Sequence, residues 1–534
     1  MKLLVNLTMA ALALLAPADT PTGSVSGHVL DADSGAPIPD FPVANNVRTD
    51  GRGFYRLTGL KPGPFRIALL GERVWPELIE RSVNVEAGAE LTGVDLPIRL
   101  DGEVSGRVVD QNKDPVAGVP VRLIGREYSA GALRYFTDTG SATTNDRGEY
   151  VMHNVRAGRA MLLLMEKRKV YEGPISETPT DPKLRKPAYR ATYYPNADSA
   201  GTATLVTLRS GERRGGMDIQ VLRSPGYCVD ATLMLDGAPA SLDFKVTDEL
   251  TSSANMIPGS ASSGPTGVSS GPDGKIRICD LYPGEFRIAA LRRGGLFPAV
   301  FGATSVTIGD EDVHNVRVIA GSPVTIQGEV AWDGTPPDGA AAAQFTLQAP
   351  TVTNDAMAGP GSRASCPIPG PFSFPALRTV EHLLQPGVGP PNAFPSAYVK
   401  DIAYGAASVL HQAFRAGDAG TLRVTVANDG GFVKVSAPAG ARILIVPGMA
   451  ATESILAGAM VSGQADQAGN YTSRSLAPGK YTVLATNDPI DQTPECIAAI
   501  WRARNRGEEV DIGPNATVTV TLQEVISPRS DGLR

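Results

Sequence analysis

The hydrophobic positions along this chain come in short alternating runs. In Phe54-Tyr55-Arg56-Leu57, and again in Phe65-Arg66-Ile67-Ala68-Leu69, larger apolar side chains occupy every second place. A period of two puts one face of an extended strand in a core and the other in water. Between such runs a short phrase returns: a glycine, an aromatic or branched residue two places on, an aliphatic seven places on, and usually a second glycine ten places on. It reads Gly53, Tyr55, Leu60, Gly63; then Gly148, Tyr150, Val155, Gly158; then Gly274, Ile276, Leu281, Gly284; then Gly469, Tyr471, Leu476, Gly479. A fifth copy, Gly370, Phe372 and Leu377, carries Val380 in place of the second glycine. The phrase predicts hairpins in which glycine supplies φ > 0 and Asp or Asn bonds its own downstream backbone, as in Thr49-Asp50-Gly51-Arg52-Gly53.

Each copy is followed by a closing strand after a further glycine: Val94, Leu96 and Ile98; Met217, Ile219 and Val221; Val316 and Val318; Leu422, Val424 and Val426; Val518, Val520 and Leu522. Strands at such short spacing predict an all-β fold of tandem antiparallel β-sandwiches, transthyretin-like or Ig-like. The expected units are 19–101, 102–223 with an insertion, 224–320, 321–431 (divergent) and 432–525, between a signal peptide at 1–18 and a tail at 526–534. One short helix is expected, in the last unit. Thr493 caps it, Pro494 opens it, Ile497, Ile500 and Trp501 share a face, and Gly507 stops it.

Units one and two match directly: Val-Ser-Gly-His-Val-Leu-Asp from Val25 aligns with Val-Ser-Gly-Arg-Val-Val-Asp from Val104, and Pro37 to Val43 aligns with Pro115 to Val121. The run from the Gly-x-Val-x-Asp strand through Pro-x-x-Gly-x-x-Val to Thr-Asp-x-x-Gly-x-Tyr and Pro-Gly-x-Tyr resembles the carboxypeptidase regulatory-like domain. That resemblance covers about 500 residues and implies a transthyretin-like seven-stranded sandwich in an exported bacterial envelope protein. It also implies a fold shared with starch-binding modules, but no reaction.

Composition narrows the function. Charged residues are 19% of the chain, the net charge is −6, and 58 glycines and 43 prolines mark turn-rich structure, so no field suited to nucleic acid is present. Lys2, the apolar run Leu3 to Leu15 and Ala16-Pro17-Ala18 read as an export signal, giving a mature start at Asp19. The run is short of the ~20 residues of a membrane span, and no cysteine follows it to take a lipid. The expectation is a periplasmic, cell-surface or secreted protein without a transmembrane segment. Four cysteines suit an oxidising compartment, and Cys228 with Cys279, on two strands of unit three, form the expected disulfide.

Candidate chemistry is sparse. The five histidines are followed three places on by Asp31, Arg156, Arg317, Gln385 and Phe414, so the His-x-x-Glu of a metallocarboxypeptidase is absent. Gly267-Val268-Ser269-Ser270-Gly271 fits the nucleophile-elbow spelling but sits in a Ser/Gly-rich loop with no helical sequence after it. Asp31-Ala32-Asp33-Ser34-Gly35 and Asp310-Glu311-Asp312 cluster carboxylates as calcium sites do, yet read as strand connections. No cofactor and no metal is expected. The candidate ligand residues are aromatic platforms on loops: Trp75, and Tyr193 with Tyr194 at the end of the Tyr171 to Pro195 insertion. The function expected is a non-enzymatic scaffold or protein-interaction protein of the cell envelope, its partner an envelope protein or polysaccharide. A carbohydrate-binding accessory protein is the alternative, and a hydrolase the third reading.

Overall fold

A computed structural model describes residues 21–526, apart from 45, 68, 70–80, 130, 166–180, 182–184, 186–187, 249–268, 294–297, 338–343, 351–361, 388–393, 418–419, 489 and 524. The expected export signal and the expected mature start at Asp19 lie outside the described residues. Strands dominate. The chain forms two compact units, Met1–Asp101 with Arg209–Gly211, and Gly102–Leu208 with Glu212–Arg534.

The repeated phrase has one structural meaning. The opening strand Gly102–Val109 pairs antiparallel with Glu149–Val155, and Asn145 turns the chain ahead of that partner by accepting the N–H groups of Arg147 and Glu149, both at 2.9 Å. Gly148 sits at φ +71°, and a Cβ there would lie 2.5 Å from the Val108 carbonyl oxygen, so both backbone torsion and space demand glycine. Asp50 and Asp466 make the same turn in the first and last sandwiches. The later glycines, Gly63, Gly158, Gly284 and Gly479, all have positive φ. In the divergent copy Gly370 lies outside the left-handed region, and Val380 instead packs against the small core of Ala289, Leu291 and Phe301.

The Val-Ser-Gly motif marks a crossing. At Gly106 the closing segment passes so near that a Cβ would lie 2.2 Å from the Met217 carbonyl oxygen, and the Tyr150 hydroxyl donates to that same oxygen. Gly27, Val94 and Tyr55 repeat the arrangement, with Tyr55 Oη donating to Val94 O at 2.7 Å. The closing strand then runs parallel to the opening one: Leu96–Ile98 along Gly23–Asp31, Val313–Ala320 along Tyr227–Leu235, Thr517–Thr521 along Phe432–Ser436. The sheets are therefore mixed where alternation predicted antiparallel ones. Side-chain periodicity is blind to strand direction, and these partners are joined through the opposite sheet, so no hairpin constrains them.

Five main hydrophobic cores follow one another along the chain. Two of them share a sheet. In Ala160–Met165 and its partner Pro120–Ser129, Leu123, Met161 and Leu163 face the core that holds Val104 and Ile219. Ile124, Leu162 and Leu164 face the core that holds Val229, Phe286 and Ile288. That is why Met161 to Met165 is apolar without alternation. The last sandwich repeats the device. Ile443, Ile445 and Val483 point to its own core, whereas Leu444, Val446 and Leu484 point to α1 (Glu453–Ala459) and α2 (Pro494–Ala503).

Helix α2 has the expected anatomy: Thr493 accepts the Cys496 N–H, Ile497 and Ile500 are buried, and Gly507 caps the following turn. The Arg504 guanidinium lies 3.4 Å from the centroid of the Trp501 ring. Helix α1 was not expected; its seven residues bury only Leu456, too little for a helical period to register. Cys228 and Cys279 lie on adjacent strands and are bonded, with Cα atoms 4.0 Å apart. Cys366 and Cys496 are buried thiols.

Candidate ligand cleft

Trp75 lies outside the described residues. Tyr193 pairs with Leu164, is 7% exposed and belongs to the core of the third sandwich. Tyr194 is half-buried against the core of the second. The pair therefore anchors the insertion between two cores instead of displaying its rings. Nothing local in the sequence marks that double burial, which comes from the pairing of Thr192 and Tyr193 with Met165 and Leu164.

The other sequence candidates are occupied by structural bonds. Asp31 Oδ1 accepts the N–H groups of Asp33 and Ser34 and the Ser34 hydroxyl, and the carboxylate also takes a hydrogen bond from the Ser210 side chain. Ser269 Oγ donates to Asp243 Oδ1 at 2.6 Å, and Ser270 ties the same loop to Leu242 and Ala240. Asp312 is gripped by Arg185 of the insertion, Nη1 to Oδ1 at 2.7 Å and Nη2 to Oδ2 at 2.8 Å, and accepts the Cys228 N–H at 2.8 Å. The hydrogen bonds from Arg185 hold the Asp312 carboxyl below the usual carboxylate range despite partial burial. Among the described residues no cluster of three or more His, Cys, Asp or Glu is placed to hold a metal.

A site that sequence reasoning missed arises where distant segments meet. Strands Pro120–Ser129 and Ala132–Thr143 form a hairpin whose tip reaches the two helices of the last sandwich. The Tyr128 N–H donates to Gln492 O at 2.7 Å, Tyr128 Oη to Glu453 Oε2 at 3.3 Å, and Ser454 Oγ to Gly131 O at 2.6 Å; Arg126 pairs with Glu495. Glu453 and Glu495 lie in the first turns of α1 and α2, where the helix termini favour negative charge.

Beside this clasp a cleft of about 1230 Å³ opens between the hairpin, the fourth sandwich and the fifth. The half-buried rings of Tyr128, Phe432 and Tyr481 line it, as do the Gln385 and Gln492 amides and three cations, Lys400, Arg474 and Lys480. Among the described residues no carboxylate lines it. Lys400 is engaged by Asp333, at 2.5 Å, whereas Arg474 and Lys480 are exposed and have no ion pair among the described residues. Burial, with a hydrogen bond to Asp429, pushes the Tyr398 hydroxyl up to about 12, and burial lowers His411, so both are neutral near pH 7. His411 holds φ +60°, an uncommon conformation for a side-chain-bearing residue.

No protein-family model matches the chain, and no curated relative matches it. Several solved structures do. The Bacillus anthracis TIE protein aligns at 10% identity over 79% of this chain and 73% of its own, with a TM-score of 0.14. A streptococcal ancillary pilin aligns at 11% identity over 61% of this chain and 99% of its own, with a TM-score of 0.20. Two B repeat units of the collagen-binding protein of Staphylococcus aureus align at 11% identity over 73% of this chain and 94% of theirs, with a TM-score of 0.13. At these scores the alignments carry no argument about what this chain binds or does.

Proposed function

We propose that the chain is a non-enzymatic, exported scaffold of the cell envelope, built from five modules of the carboxypeptidase regulatory-like type, that offers the cleft beside its clasp as an interaction site. The observation that carries the reading is the clasp itself. Residues 323 to 369 positions apart in sequence bond across the hairpin tip and the two helices, so the wall of the cleft is built before any ligand arrives. The disulfide supports an oxidising compartment, and the apolar run ahead of Ala16-Pro17-Ala18 supports export. Among the described residues no helix is long and apolar enough to cross a membrane.

The test is fractionation of producing cells with N-terminal sequencing of the mature chain. Recovery outside the cytoplasm with Asp19 first supports the reading, and an intact Met1 on the exported protein sinks the cleavage site. Peptidase or glycosidase turnover by the purified protein would end the non-enzyme reading. A second reading, a carbohydrate-binding accessory protein, is favoured by the three half-buried rings, Tyr128, Phe432 and Tyr481, and the two amides that line the cleft.

A further inference from the structure

We infer that the cleft beside the clasp binds an anionic oligosaccharide, with its acidic groups on Arg474 and Lys480 and its sugar rings against the aromatic wall. The inference rests on the scaffold reading and names the ligand class of that same site.

Charge comes first. The chain carries more Asp and Glu than Lys and Arg, 55 against 49, yet among the described residues the cleft is lined by cations and by no carboxylate. With Lys400 held by Asp333, Arg474 and Lys480 are the two positive charges left to a ligand. An arginine takes a carboxylate or sulfate with two parallel hydrogen bonds, and a lysine adds a point charge.

Shape and backbone then separate a sugar from a peptide. An extended peptide binds a β-protein by adding a strand to a free edge. Here Gly479–Thr486 is flanked by Arg442–Pro447 and Glu508–Ile512, and Tyr398–Tyr404 pairs with Leu422–Ala427 on one side and, at Ala403 and Tyr404, with Ala407–Ser408 on the other, so its open stretch at the cleft is the three residues Tyr398 to Lys400. At the hairpin tip the Tyr128 N–H is spent on Gln492. The edge strands that reach the cleft, Glu381–Leu383, Gln385–Gly387 and Val461–Gln464, have only three or four residues each, too short for strand addition. Recognition falls to side chains, and rings flanked by amides and cations suit the apolar faces, hydroxyls and acidic groups of a sugar chain. At about 1230 Å³ the cleft exceeds the ~300–1,000 Å³ usual for a single small molecule, which fits a short oligomer.

The experiment is isothermal titration of the full chain with three hexamers: oligogalacturonate, a neutral maltohexaose and hexaglutamate. A sulfated oligosaccharide of equal length identifies which acidic group is preferred. Expected is saturable binding of an acidic sugar, weakened by salt, with little for the neutral sugar or the peptide. The double variant Arg474→Gln, Lys480→Gln, both exposed and outside the cores, should lose at least about tenfold in affinity with an unchanged melting temperature. Lys434→Gln, an exposed cation outside the cleft lining, is the control that should bind as wild type. Binding of hexaglutamate alone, equal binding of the neutral sugar, no binding at all, or an unaltered double variant each overturns the inference. Export and lack of turnover are read separately, so this result can fail while the scaffold reading stands. Depolymerisation of the bound sugar would do the reverse.

Discussion

Arg185 and Asp312 give the sharpest test of how the insertion is held. The Arg185 side chain is 1% exposed and that of Asp312 11%, so neither charge is solvated in the folded state. Arg185→Met removes both guanidinium bonds to Asp312 and the one to Gly226 O, and leaves the carboxylate with the Cys228 N–H and with Arg277, whose Nη2 is 3.7 Å away. Breaking one side of such a buried pair costs about 3–5 kcal/mol, because the other charge is left behind. In a cooperative unit of 150–250 residues each kcal/mol moves the midpoint by about 2–4 °C, so a fall of roughly 6–20 °C is expected. The double variant Arg185→Met, Asp312→Leu should recover much of the loss, since an apolar pair of similar volume is often neutral. The sign with pH follows from the lowered Asp312 pKa. Its contribution is complete above the unfolded value of about 3.9 and disappears as pH falls through the lower folded one. Arg185→Met should therefore flatten the acid limb of stability. Calorimetry reads the midpoint, and hydrogen exchange at the Cys228 amide reads the site. A loss under ~1 kcal/mol with unaltered exchange at Cys228 would refute the buried-pair argument.

The remaining predictions are more local. Gly148→Ala should cost about 2–5 kcal/mol by urea unfolding, combining a left-handed φ with a backbone oxygen 2.5 Å from the new Cβ; a loss below ~1 kcal/mol would mean the turn relaxes freely. His382 is buried with its ring nitrogens 3.0 and 2.9 Å from the Ala349 and Arg378 carbonyl oxygens, and burial lowers its pKa. Stability should be full above the unfolded value of about 6.5 and decline as pH falls below it. His382→Phe should remove that decline, and an unchanged pH profile in the variant would assign it elsewhere. Reduction of the Cys228–Cys279 bond, whose ends are 51 residues apart, should cost up to about 4 kcal/mol on the chain-entropy account, checked by melting with and without reductant. Two alkylatable thiols at these positions in exported protein would contradict the bond.

The glycine phrase made the fold legible because it reports backbone necessity. At Gly148 and Gly106 a neighbouring carbonyl oxygen occupies the space of a Cβ, so composition at those positions follows from geometry. The Thr493 cap and the Ile497 and Ile500 face made α2 legible for a similar local reason. What stayed hidden depends on pairs distant in sequence. Tyr193 read as a loop aromatic because its burial comes from Leu164 on one side and the third sandwich on the other. Arg185 carries no local signal of its burial, since nothing near it in sequence names Asp312 as its partner. The cleft was unreadable for the same reason: Tyr128, Lys400 and Arg474 share no local pattern and meet only through tertiary packing.

The long-range contacts also decide how the tandem sandwiches behave as a material. Modules joined only by linkers move independently, with interfaces resembling transient ones. Here the sheet of Pro120–Ser129 and Ala160–Met165 is buried on both faces, so the second and third cores cannot separate without exposing Ile124, Leu162 and Leu164. The same hairpin carries Tyr128 to the helices of the last sandwich. One strand pair thus serves its own core, its neighbour's core and the clasp. A perturbation of that pair should be felt at the cleft wall, because Tyr128 belongs to both the clasp and the lining. Rigidity of this kind favours binding by pre-organisation: the entropy of ordering the wall is lost during folding, and the ligand meets side chains already in place.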